Sequence, residues 1–274
     1  MVEDLKERGV HAAFHADLDT LPVTIQQELQ EGDWVVFFGA GSITTAAWNL
    51  SKNLKRIEAM DTFPQLGSLK EQLSDDSLVK TNEPLGPKTT LKVGGNADIF
   101  VQPASKEDLA LVLKWASIVR LPVTMLGRGS NLLIREGGIR GIVISLSHPN
   151  FSTISVEGDR LICGAGVRLK LVSETARKEG LSGLEFFEGI PGCVGGALRM
   201  NAGAMKSCAF EPLVQLNTMD RQGVIHQWDA KDVEARYRQC PLLKEHIALE
   251  AVFKGMPDDP DHTKQVMDDY SQRL

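Results

Sequence analysis

Apolar positions along this chain switch repeatedly between strand-like and helix-like spacing, which predicts a mixed α and β protein. Near the N-terminus, Leu18 to Leu29 carries a helical pattern, and Trp34-Val35-Val36-Phe37-Phe38 is a continuous apolar run suited to a strand covered on both faces. Gly39-Ala40-Gly41-Ser42 then turns into a helix over Ile43 to Leu50, with Ser42 placed to cap it. Residues 61–83 are polar and read as a linker. Beyond it, Ala97 to Val101 predicts a strand. Ser105-Lys106-Glu107-Asp108 is a capping box for a helix whose apolar side is Leu109, Val112, Trp115, Ala116 and Val119. Pro122 to Leu126 and Gly141 to Leu146 predict strands, and Leu161 to Cys163 another. A helix from Leu169 to Lys178 is stopped by Gly180. Val214 to Met219 and Ile247 to Phe253 complete the strands. After Pro257 and Pro260 a last helix carries Val266, Tyr270 and Leu274 on one face; it has no stop signal and reads as an element cut in progress.

Composition narrows the class. The 274 residues are 42% apolar, enough for one large domain or two ordinary ones. Basic and acidic residues number 30 and 36, a net charge of −6, which disfavours a nucleic-acid surface. No run of 18 apolar residues predicts a membrane span, and Met1-Val2-Glu3-Asp4 does not open a signal peptide. Cys163, Cys193, Cys208 and Cys240 lie too far apart for a zinc or disulfide framework, so a reduced, cytoplasmic protein is expected.

Candidate chemistry concentrates in two glycine-dense stretches: Gly127-Arg128-Gly129-Ser130-Asn131, and the segment from Gly189-Ile190-Pro191-Gly192-Cys193 through Gly195 and Gly196 to Asn201-Ala202-Gly203-Ala204. Glycine lets the backbone approach a ligand closely and turn successive N–H groups toward one point, an arrangement suited to phosphate. The two together suggest one large phosphate-bearing cofactor held from two sides. The competing readings are an ordinary hairpin turn at 127–131, which leads into the strand-like run Leu132-Leu133-Ile134, and a tight packing corner at 189–204. The stretch at 127–131 completes neither a Rossmann fingerprint, since position 132 is Leu132, nor a P-loop. Tyr237-Arg238, placed just after a predicted helix end, reads on its own as surface charge.

Residues 84 to about 256 resemble the UDP-N-acetylenolpyruvoylglucosamine reductases. The resemblance rests on Thr89-Thr90-Leu91-Lys92-Val93-Gly94-Gly95-Asn96-Ala97, Gly127 through Leu133, Gly183-Leu184-Glu185-Phe186, Gly189 through Ala204 and Tyr237-Arg238, in order and at family-like spacing. It implies an α+β, two-subdomain FAD-binding fold of the vanillyl-alcohol-oxidase (PCMH) type, with subdomains over 84–147 and 148–257 and the start of a substrate-binding domain over 258–274. It also implies an FAD- and NADPH-dependent oxidoreductase of peptidoglycan synthesis that reduces a UDP-sugar enolpyruvate to UDP-N-acetylmuramate. The cofactor would be held by Gly127, Arg128, Gly129, Ser130, Asn131, Leu132, Gly189, Ile190, Pro191, Gly192, Cys193, Gly195, Gly196, Asn201, Ala202 and Gly203. Tyr237 and Arg238 would contact substrate, with Arg238 as the catalytic cation. No metal is implied.

The family's proton-donating serine and assisting glutamate have no counterpart here. The resemblance therefore carries the expectation of a C-terminally truncated reductase of low activity, with a non-catalytic fragment as the alternative. Gly32 through Ile43 resembles the end of a UDP-N-acetylmuramate–alanine ligase, so residues 1–60 are expected to be the remnant of a fused Mur ligase.

Overall fold

The computed structural model describes residues 66–273. The expected helices at 18–29 and 43–50, the strand at 34–38 and the ligase-like remnant over 1–60 lie outside the described residues.

Two sheets organise the described part. Helix α1 (Leu66–Gln72) precedes strand β1 (Leu78–Pro84), and β2 (Asn96–Gln102), helix α2 (Lys106–Ile118), β3 (Val123–Met125) and β4 (Ile139–Ile144) follow. These four strands form one sheet in the order β1-β2-β4-β3, with β2, β4 and β3 parallel and β1 antiparallel at the edge. The chain continues through β5 (Ile154–Glu157), β6 (Arg160–Gly164), helix α3 (Leu169–Lys178), β7 (Leu181–Ser182) and a 3₁₀ turn at Glu185–Gly189. Helix α4 (Val194–Met200), β8 (Gly203–Ala204), β9 (Ser207–Cys208), β10 (Leu213–Met219), β11 (Ile225–Asp229), helix α5 (Leu242–Glu245), β12 (Ile247–Lys254), β13 (Met256–Pro257) and helix α6 (Pro260–Gln272) complete it. The second sheet is antiparallel, in the order β11-β10-β12-β6-β5. Among the described residues no helix is long and apolar enough to cross a membrane.

The nearly continuous apolar run of β2 explains its place. Ala97, Ile99, Phe100 and Val101 are all buried, as expected for an inner strand. Phe100 packs with Leu85, Ala97, Leu126, Ile134 and Val143 beneath the first glycine loop.

The linker expected over 61–83 does not hold for its described part. Leu66, Leu69 and Leu73 recur at helical spacing and are buried, and Leu78 to Pro84 pairs along β2. A seven-residue strand at a sheet edge needs little apolar pattern of its own, because its ladder partner supplies the hydrogen bonds.

The capping box at 105–108 forms only by half. Ser105 Oγ accepts from the Asp108 N–H at 3.0 Å. The buried Asp108 carboxylate turns instead to the segment before β1. It accepts from the Ser74 N–H (3.0 Å), the Ser74 hydroxyl (2.6 Å) and the Ser77 hydroxyl (3.0 Å). Burial pushes this carboxyl up, but the hydrogen bonds from Ser74, Ser77 and Ser105 outweigh it and hold the group below its ordinary range. A depressed folded-state value stabilises above the unfolded carboxylate pKa and is lost as pH falls through the folded value. Asp108→Asn is therefore expected to cost about 1–3 kcal/mol at neutral pH. Urea unfolding of the two chains should converge as pH falls through the depressed folded-state value of Asp108, where the parent carboxylate is also protonated.

Two further expectations are corrected. Leu132-Leu133-Ile134 forms no strand: Leu132 and Leu133 are exposed, Ile134 alone enters the core, and the loop links two parallel strands, which a hairpin cannot do. On α6 the fully buried positions are Thr263 and Met267, with Val266 and Tyr270 half-buried beside them, because the helix packs on the 185–189 turn.

Candidate cofactor site

β3 ends at Met125 and delivers the chain into the first glycine loop. Gly129 adopts φ +63°, and a Cβ there would lie 2.6 Å from the Lys88 carbonyl oxygen and 2.7 Å from Thr89 Cα. Only glycine fits this approach. None of the backbone N–H groups of residues 127–133 donates to another group among the described residues. Consecutive unpaired amides of this kind form an anion-binding concavity.

The second stretch behaves differently. Val194 to Met200 is helical, and Asn201 closes the helix in the left-handed region at φ 39°. Its amides are largely committed: Val194 N–H donates to Val167 O (2.9 Å) and Gly195 N–H to Ala165 O (2.8 Å). Gly195 is small because the 165–167 segment lies against it; a Cβ would meet Ala165 Cβ at 3.1 Å.

The two stretches meet. Ser130 Oγ donates to the Pro191 carbonyl at 2.8 Å, and a Cβ on Gly127 would lie 2.9 Å from Cys193 Sγ. Beside this junction opens a cavity of about 760 Å³, lined by Gly127, Arg128, Leu132, Cys193, Gly195 and Gly196 of the expected set. Gly129, Ser130, Asn131, Gly189, Ile190, Pro191, Gly192, Asn201, Ala202 and Gly203 support the loops without lining it. Tyr237 and Arg238 also lie off its wall. The predicted helix end before them is absent: they sit on a tight turn closed by reciprocal backbone hydrogen bonds between Arg236 and Gln239. Arg238 takes φ +60°, its guanidinium 6.0 Å from the Tyr237 ring centre, and Tyr237 is 89% exposed.

Several lining residues carried no signal in the sequence. Arg168, Arg199, Arg221 and Lys244 join Arg128 on the cavity wall, with His246, and no carboxylate lines it. None of these five cations forms an ion pair with a carboxylate among the described residues. In a chain of net charge −6 this is a strongly localised positive field. They escape sequence reading because they come from five separate elements and connections. Apolar walls from Val123, Met125, Leu146, Val167 and Ile247 complete the cavity. Such a mixture suits a ligand with flat ring systems and a phosphate centre. Behind the wall, Trp228 Nε1 donates to Thr218 Oγ1 (2.9 Å), which lies 3.0 Å from His246 Nδ1. Burial, and then the neighbouring His226, hold His246 below the ordinary histidine range, so its ring is neutral at pH 7.

Comparison with known proteins agrees with this geometry. Residues 97–229 match the family described as an FAD binding domain. The UDP-N-acetylenolpyruvoylglucosamine reductase of Staphylococcus haemolyticus is 42% identical over 213 residues, covering 76% of this chain and 67% of that protein. That of Staphylococcus aureus is 41% identical over 204 residues, covering 74% and 66%. The chain thus spans about two thirds of the length of the curated relatives it matches. Among solved structures, the UDP-N-acetylenolpyruvylglucosamine reductase of Thermus caldophilus superposes with a TM-score of 0.62 at 29% identity, over 72% of this chain and 68% of that one. The 6-hydroxy-D-nicotine oxidase of Arthrobacter nicotinovorans gives 0.52 at 16% identity, over 67% and 43%, a likeness of fold alone. With its α+β FAD-binding fold, the chain belongs to the UDP-N-acetylenolpyruvoylglucosamine reductase family of NADPH-dependent flavin oxidoreductases.

Proposed function

We propose that this chain binds FAD in the cation-lined cavity and serves the NADPH-dependent reduction of a UDP-sugar enolpyruvate to UDP-N-acetylmuramate in peptidoglycan precursor synthesis. The observation that carries the cofactor assignment is the run of unpaired amides at 127–133 opening onto a cavity walled by five cations and no carboxylate. When bound, FAD supplies two-electron hydride chemistry between the reductant and the enolpyruvyl double bond.

The residues divide the remaining work. The amides of 127–133, with Arg128, Arg168 and Arg199, hold the pyrophosphate and neutralise its charge. Ser130, through its bond to the Pro191 carbonyl, keeps the two glycine stretches in register. Val123, Met125, Leu146 and Ile247 exclude water from the rings. Arg238 is an exposed guanidinium on a closed turn, suited to grip the substrate carboxylate bidentately and to stabilise the negative charge that develops beside it. Tyr237, below that guanidinium, orients it. A cytoplasmic setting belongs to this reading, as does a Mur-ligase portion over residues 1–60, supported by the stretch from Gly32 to Ile43.

The visible spectrum of the purified chain tests it. A flavin band that survives gel filtration and bleaches under NADPH without oxygen is expected. Arg238→Ala should keep the band while slowing reoxidation by the enolpyruvyl substrate by about a hundredfold or more. A colourless protein that takes up no added FAD would sink the assignment.

A further inference from the structure

Asn201 stands where the wall of the cavity meets the turn that carries Arg238. The last residues of α4, Arg199 and Met200, line the cavity. Asn201 follows them in the left-handed region, a cap position at which glycine is the default because it has no Cβ to strain. Here the cap is an asparagine, and both ends of its side chain are engaged. Oδ1 accepts from the Phe210 N–H at 3.3 Å, and Nδ2 donates to the Arg236 carbonyl at 3.3 Å. The two ends are told apart by their partners, since a backbone N–H can only donate and a carbonyl can only accept. A second bond ties the same helix end to the turn: the Cys240 N–H donates to the Arg199 carbonyl at 3.2 Å, one of the carbonyls that a helix leaves open at its end. The two bonds hold the chain on either side of Tyr237 and Arg238. Strain gathers at this junction. Of the seven non-glycine residues at positive φ among the described residues, four lie on the segments that Asn201 joins: Asn201 itself, Met205 and Lys206 between β8 and β9, and Arg238. Unfavourable backbone of this kind persists where surrounding contacts over-determine it, and it collects at functional sites.

We infer that Asn201 is a positioning residue for Arg238: it holds the 236–239 turn against the end of α4 and so sets where the guanidinium stands relative to the cavity. The inference rests on the reading of Arg238 as the cation for the enolpyruvyl carboxylate. Arg238 is exposed and forms no ion pair with a carboxylate among the described residues, so the backbone of its turn is what places it. Asn201 thereby takes a role apart from the cofactor contact that the resemblance implies. It lies off the cavity wall, and both ends of its side chain are committed elsewhere.

Asn201→Gly tests this, because it removes both side-chain bonds and keeps the left-handed cap. Hydrogen exchange of the full chain without ligand reads the turn directly. The amides of Gln239 and Cys240 are expected to exchange about fivefold faster in the variant, with those of β12 within about twofold of the parent. In the FAD-loaded chain, FAD affinity and bleaching by NADPH should stay within about twofold, while reoxidation by the enolpyruvyl substrate slows about tenfold. On an Arg238→Ala background Asn201→Gly should add less than about twofold, because the group it positions is gone. Asn201→Asp, which keeps the acceptor for Phe210 and loses the donor to Arg236, should match Asn201→Gly at the turn. Unchanged exchange at Gln239 and Cys240, a loss of FAD affinity, or full additivity with Arg238→Ala would overturn the inference while leaving the reading of Arg238 intact. An Arg238→Ala chain that reoxidises at the parent rate would overturn both.

Discussion

Gly129→Val is expected to cost the chain its flavin and about 3 kcal/mol of stability, combining the penalty for a branched residue at positive φ with steric overlap. The new Cβ would fall 2.6 Å from the Lys88 carbonyl oxygen and 2.7 Å from Thr89 Cα. Neither atom can retreat cheaply. Lys88 N–H is bonded to Leu85 O, Thr89 N–H and Oγ1 to Gly86 O, and Lys88 Nζ pairs with Glu83 at 3.0 Å. The loop must move instead, which breaks the Thr90 N–H bond to the Gly129 carbonyl and misaligns the amides of 127–133. For a unit of this size the loss corresponds to a melting shift of roughly 10 °C. Gly137→Ala is the control: it lies in open space outside the left-handed region, and its effect should stay within about 0.5 kcal/mol. Retained stability and flavin uptake in Gly129→Val would refute the close-approach account of this loop.

Phe187→Ala is expected to be the more damaging change to folding, by about 3–5 kcal/mol. The ring is fully buried, tilted against Phe186 at 4.3 Å and edge-on to Phe253 of β12 at 5.3 Å. Its carbonyl also accepts from the Ile190 N–H and so directs the chain out of the 185–189 turn toward Pro191 and Cys193. Truncation leaves a cavity between the second sheet and the turn that carries the second glycine stretch. Urea unfolding should show the lost stability, and flavin affinity should fall with it. Phe187→Leu, which keeps most of the volume, should cost well under half as much. Equal losses for both variants would mean that ring packing is not what holds the turn.

Local pattern carried a good part of the described fold. The runs at 97–101, 122–126, 161–163, 214–219 and 247–253 each lie on an observed strand, offset by a residue or two, and the helix from Leu169 to Lys178 has the predicted bounds. These elements are buried on at least one face, and burial imposes a period that survives in the residue order. Edge strands and half-exposed elements leave no such trace. β1 and β11 are set by their ladder partners, and α1 is fixed by three leucines that the surrounding polar residues obscure. The glycine stretches were visible because the demand for small residues is written directly into the chain. That one of them contains a helix and the other a run of free amides was not, since both facts depend on which carbonyls lie opposite.

What the sequence by itself determined about this protein is therefore its alternation of elements, the two points where the backbone must come close to something, and the family to which it belongs. The tertiary structure alone decided what surrounds those points. It turned Asp108 from a helix cap into a clamp on Ser74 and Ser77. It placed Arg238 on an exposed turn away from the cavity wall and gathered Arg128, Arg168, Arg199, Arg221 and Lys244 around one opening. Those five cations are separated by up to more than a hundred positions and share no spacing. The field they make exists only because the two sheets bring the ends of different elements together, and charges act through space rather than along the chain.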